Sequence, residues 1–151
     1  MKKTIKSFGF FAALVMLFML SSANAGAYNC GSAVDKLCKV FDNMKGQVHK
    51  INSLEELDTL DFDQAMNKFG LDEVPDDCKE YVLTKEDKKK VITSLTGFMD
   101  AMSDKIYKLA GGMVSRDMIN SEFAPMKSNL RKAVNSATTL GDMLDNINSV
   151  F

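Results

Sequence analysis

Residues Leu83 to Gly112 read LTKEDKKKVITSLTGFMDAMSDKIYKLAGG, and this stretch decides the fold class. It predicts one helix of about 26 residues, roughly 39 Å long at 1.5 Å per residue. Its apolar seam is Ile92, Leu95, Met99, Met102, Ile106 and Leu109, widened by Val91 and Phe98. The steps alternate three and four, the signature of a helix covered along one face. Thr84 can cap the start, with Asp87 three places on, and Gly111-Gly112 stops the helix. An isolated helix of this kind is marginal in water, so other segments must cover the seam.

Upstream, Val34, Leu37, Phe41, Met44, Val48 and Ile51 repeat the spacing. They predict a first helix from about Ala33 to Ile51, capped by Ser32 with Asp35 three residues on. Residues 54–69 lose phase after Leu57 and Leu60, and Asp61 can cap a fresh start before Ala65, Met66 and Phe69. They predict a kinked helix or two short ones, stopped by Gly70. Residues 70–83 form the one long loop, because Val74-Pro75 disfavours helix. Downstream, Pro125 suits only a first helical turn, so a last helix is expected from about Ser121. Its seam is Met126, Leu130, Ala133, Ala137, Leu140, Leu144, Ile147 and Phe151, with at most one short turn, capped by Ser115, ahead of it. The fold class is therefore all-α: an antiparallel up-and-down bundle of about four helices, the second short or kinked.

The first 25 residues are expected to be absent from that bundle. Lys2, Lys3 and Lys6 precede an apolar run from Phe8 to Leu20, and Ala23-Asn24-Ala25 ends in A-x-A. This is the pattern of a cleaved secretory signal, in a bacterial style, with cleavage before Gly26. The mature chain, residues 26–151, is one domain's worth and has no further apolar run long enough to anchor in a membrane. Loss of the three lysines leaves 16 basic against 20 acidic residues, a net −4 in place of −1. Nucleic-acid binding by phosphate neutralisation is not expected. Export to a secreted or periplasmic location permits a disulfide, and Cys30, Cys38 and Cys78 are the candidates. Cys30–Cys78 and Cys38–Cys78 are the favoured pairings, with no bridge as the next alternative. Cys30–Cys38 needs residues 30–32 to fold back.

Catalytic and cofactor chemistry finds little support. His49 is the only histidine, and Cys38 lies about 16 Å from it along a helix, too far for a nucleophile–base pair. Met99 and Met102 share a face that core packing already explains. No cofactor and no enzymatic activity are expected. Charge is more informative. Residues 55–80 carry ten acids and two lysines, with Asp72, Glu73, Asp76 and Asp77 in the long loop. Lys88, Lys89 and Lys90 follow at the start of the third helix. This junction is the candidate surface for a protein or cell-envelope partner. The alternative is a periplasmic carrier holding an apolar ligand, haem or metal in the bundle, or a small stress chaperone. The residues LTKED before the third helix are similar to the LT-x-x-Q helix starts of the Spy-like periplasmic stress chaperones, with Asp87 at the glutamine position. That resemblance covers five residues and carries no function with it.

Overall fold

The computed structural model describes residues 29–150, apart from the side chain of Phe62. The expected signal peptide and the last seam residue, Phe151, lie outside the described residues. The chain forms helices α1 (Gly31–Lys50), α2 (Phe62–Lys68), α3 (Lys85–Leu109), α4 (Arg116–Ser136) and α5 (Leu140–Asn148). Two 3₁₀ turns, Glu55–Thr59 and Asp76–Glu80, lie in the connection between α1 and α3. The fold is all-α, and no helix among the described residues is long and apolar enough to cross a membrane.

Helix α3 is the centre of the bundle. Thr84 and Asp87 make a reciprocal capping box at its start. The Lys90 ammonium sits 2.9 Å from Asp35 near the starts of α1 and α3. At the other end, Lys105 Nζ donates to the carbonyls of His49 (3.0 Å) and Ile51 (2.9 Å). Helices α1 and α3 therefore run parallel, because residues 52–84 carry the chain back to the first pole between them. Helix α4 runs antiparallel to α3: Arg116 pairs with Asp104, Lys127 lies 2.7 Å from Asp100, and Lys88 Nζ donates to Asn135 O at 3.1 Å. Lys88 looks misplaced at the positive end of its own helix. It serves instead the carbonyl end of an antiparallel neighbour, where a cation is favoured.

The core follows the seams. Leu37, Phe41, Met44, Leu95 and Met99 are essentially inaccessible, and the rings of Phe41 and Phe98 stack with centroids 6.4 Å apart. Five methionines (Met44, Met66, Met99, Met102 and Met143) are buried, as expected of gap-filling side chains.

Three boundaries differ from the sequence expectation. Helix α1 starts at Gly31 with Cys30 in the capping position, and no side chain caps it. The Ser32 hydroxyl instead donates to Asn29 O, while Gly31 N–H donates to Asn29 Oδ1. Helix α4 begins five residues before Ser121, capped by Ser115, and carries Pro125 inside it. An interior proline costs about 3 kcal/mol. The earlier start buries Ile119 and Phe123, worth roughly 1.5–3 kcal/mol each. Pro125 and Ser121 are both exposed, so the carbonyl left without its donor is placed where water can reach it. The expected single seam to residue 151 is also broken. Ala137 and Thr139 are extended, and α5 begins afresh with a Thr139–Asp142 capping box. Residues 54–69 form two short pieces as expected, with Asp61 Oδ1 accepting from Gln64 N–H at the second start.

Candidate interaction surface

The long loop is pinned at both ends. Cys30 and Cys78 form a disulfide, with their Cα atoms 5.2 Å apart, which ties the 76–80 turn to the start of α1. The alternative Cys38–Cys78 pairing does not occur. Cys38 is a free, buried thiol on the α1 face towards α3, in hydrogen-bond contact with Ser94. Burial pushes its pKa up, so it stays protonated and unreactive. The disulfide fits an oxidising compartment. Beyond the turn, Leu83 N–H donates to Thr138 O (3.0 Å) and Leu140 N–H to Tyr81 O (2.9 Å). These bonds flank an isolated antiparallel bridge between Val82 and Thr139. The β-branched Val82 and Thr138-Thr139 were its only sequence signal.

Below this bridge lies a buried carboxylate. Asp87 Oδ2 accepts from Thr84 N–H at 2.9 Å and from the Tyr81 hydroxyl at 3.1 Å. Burial pushes the Asp87 carboxyl up, but bonds with Thr84 and Tyr81 and the charge of Lys90 outweigh it, and the carboxyl is held below its ordinary value. Burial, and then the bond to Asp87, raise the Tyr81 phenol. Asp87→Ala is expected to cost about 2–3 kcal/mol at neutral pH, from a lost cap and a stranded phenol. A carboxylate depressed in the folded state stabilises fully above its unfolded value, 3.8, and loses that contribution as pH falls through the lower folded value. The stability gap between wild type and Asp87→Ala should therefore narrow between pH 5 and pH 2. A gap that stays constant over that range in urea titrations contradicts the assignment.

The candidate surface residues sort into two groups. Lys90 is engaged with Asp35, and Lys88 with the end of α4. Lys89 is exposed. Of the loop acids, Asp76 pairs with Lys79 at 3.1 Å. Asp72, Glu73 and Asp77 are exposed and take part in none of the ion pairs found among the described residues. Lys36 Nζ donates to Gly70 O (3.3 Å), which holds the start of this acidic loop against α1. Acids and lysines thus share one pole, but two of the three lysines are committed to the fold. His49 is exposed at the end of α1. No group of three or more His, Cys, Asp or Glu side chains among the described residues could hold a metal ion.

The opposite pole carries two exposed methionines. Met113, in the α3–α4 turn, is 81% exposed, and Met118, in the first turn of α4, is 45% exposed. That turn is held by Arg116, whose guanidinium lies 4.2 Å from the Tyr107 ring centre while pairing with Asp104. Dilute peroxide should convert Met113 and then Met118 to sulfoxide at least about tenfold faster than the buried methionines. Peptide mass spectrometry reads this directly, and equal oxidation of Met99 would contradict the burial pattern.

Comparison of this chain with protein-family models, with curated proteins and with solved structures finds no match.

Proposed function

We propose that this is an exported, non-enzymatic helical protein, of bacterial style, whose disulfide-pinned acidic loop docks a basic protein or cell-envelope partner. The observation that carries the reading is the contrast within one pole. The fold uses Lys88 and Lys90 internally but leaves Asp72, Glu73 and Asp77 exposed on a loop held by Cys30–Cys78 and Lys36. A loop held in this way presents its charges with little ordering entropy left to lose on binding. Carboxylates of one sign, spaced along a fixed surface, favour fast capture of a cationic patch and a steep loss of affinity with salt.

The test is co-purification of the tagged protein from its own cells at low and high salt, with wild type beside an Asp72→Lys/Glu73→Lys/Asp77→Lys variant. The expected result is a partner retained by wild type at low salt and lost with the triple reversal, while the melting temperature stays within a few degrees. A partner retained equally by the variant sinks the acidic-loop reading.

A further inference from the structure

The hairpin between α4 and α5 contains a contradiction between pattern and conformation. Leu130, Ala133, Ala137, Leu140, Leu144 and Ile147 step three, four, three, four, three, the pattern of one uninterrupted helix. The chain nevertheless breaks at Ala137–Thr139 and folds α5 back along α4. Neither proline nor glycine stands between Ser136 and Leu140, so nothing in the covalent chain forbids a helical path through those three residues. The break is held by a local cap together with contacts from other segments. Thr139 and Asp142 close a capping box, and Thr138 O and Leu140 N–H are bound to the 81–83 segment. Asn146 Nδ2 donates to Ala133 O at 3.1 Å and to Ser136 Oγ at 3.3 Å, which ties the far end of α5 to α4.

Helix α5 also occupies a defined seat. Leu140, Met143, Leu144 and Ile147 are each no more than 4% exposed. Its first turn meets the disulfide-pinned segment so closely that a Cβ at Gly141 would lie 3.2 Å from Lys79 O. If residues 137–139 became helical, α5 would continue along the α4 axis, its end roughly 16 Å beyond its present hinge. Its four apolar side chains would then be exposed, and the seat would be empty. The one surface already shown to fit that seat is α5 itself, so a second copy of this chain carries the matching occupant. Reciprocal exchange satisfies both copies with a closed two-fold arrangement and re-forms every contact except those of the hinge.

We propose that α5 is an exchangeable arm, and that a second copy of this chain is a partner for its seat through residues 137–139 acting as the hinge. The hinge caps set the balance. With the capping box intact the folded-back form prevails. Removing the box and raising helix propensity across the hinge shifts the balance towards the exchanged dimer.

The test refolds the full mature chain from denaturant at about 1 mM and at about 1 µM, with mass read by light scattering. An Ala133→Cys/Asn146→Cys pair in a Cys38→Ala background reports which copy's α5 lies on which α4. Exchange predicts dimer after concentrated refolding, at least tenfold more than after dilute refolding, with the new cross-link joining two chains on a denaturing gel. A Thr138→Ala/Thr139→Ala/Asp142→Ala variant should raise the dimer fraction further. The proposal is overturned if the parent chain refolds only to monomer at both concentrations. It is equally overturned if dimers of the Ala133→Cys/Asn146→Cys chain carry the cross-link only within each chain. Because the parent folds, a hinge variant that fails to fold leaves that decision intact.

Discussion

Replacing both bonded cysteines, Cys30→Ala/Cys78→Ala, should lower the stability of this protein by about 4 kcal/mol. The bridge spans a sequence separation of 48 residues. Closing a loop of that length in the unfolded chain removes roughly 4 kcal/mol of entropy at 25 °C, at the upper end of the usual disulfide range. For a chain of this size the melting temperature should fall by roughly 12–20 °C. The loss has a local signature as well. Backbone amides of residues 70–83 should exchange with solvent faster, because the segment then relies on the Lys36 bond, the bonds of Tyr81 and Leu83 around the short bridge at Val82, and the packing of Leu71 and Val74. Cys38→Ala provides the control, since it removes a buried thiol without opening a loop and should cost about 1 kcal/mol. Denaturant midpoints that coincide for wild type and the double variant would remove the disulfide from any structural role. Cys78 is fully buried, so reductant should act on the folded protein slowly and through opening of the loop.

Helices α1 and α3 were legible because their information is local and redundant. The α3 seam, the Thr84 cap and the Gly111 stop agree with one another, and Gly111 and Gly112 do adopt positive φ. Helix α4 was misplaced at both ends because competing local signals were settled by tertiary packing. Pro125 argued for a start near Ser121, yet burial of Ile119 and Phe123 outweighs the proline. The continuous three-four spacing argued for one helix to residue 151, yet the Thr139–Asp142 box and the bonds to Tyr81 and Leu83 break it. Thr139-Leu140-Gly141-Asp142 was a readable capping box. The apolar spacing runs unbroken across it and masks it. At the candidate surface, sequence located the acidic loop but could not distinguish free lysines from committed ones. The partner of Lys88 lies at Asn135 and that of Lys105 at His49 and Ile51, contacts that exist only after the helices assemble.

The deepest single-residue dependence should lie at Phe41, where Phe41→Ala is expected to cost about 3–5 kcal/mol. Phe41 is completely inaccessible in the middle of α1 and stacks on Phe98 of α3 with an interplanar angle of 28°. Truncation removes apolar area from the interface of the two parallel helices and leaves a cavity whose walls sit on rigid elements. It also forfeits the ring pair, worth roughly 0.5–1.5 kcal/mol beyond its area. Phe41→Leu keeps most of the volume and should cost only about 1–2 kcal/mol, because an unstacked aliphatic chain still fills much of the space. The two substitutions together separate burial from ring geometry. Equal losses would assign the whole effect to the missing ring contact. A loss under about 1 kcal/mol for Phe41→Ala would mean that α1 and α3 close over the gap, which cores seldom do without cost. The same change should leave the acidic loop's charge pattern intact, because that loop is tied to the start of α1 through Cys30 and Lys36, on the far side of Phe41 from the His49 end. Comparing partner retention in Phe41→Leu and in the charge-reversed loop therefore distinguishes a loss of folded protein from a loss of the docking surface.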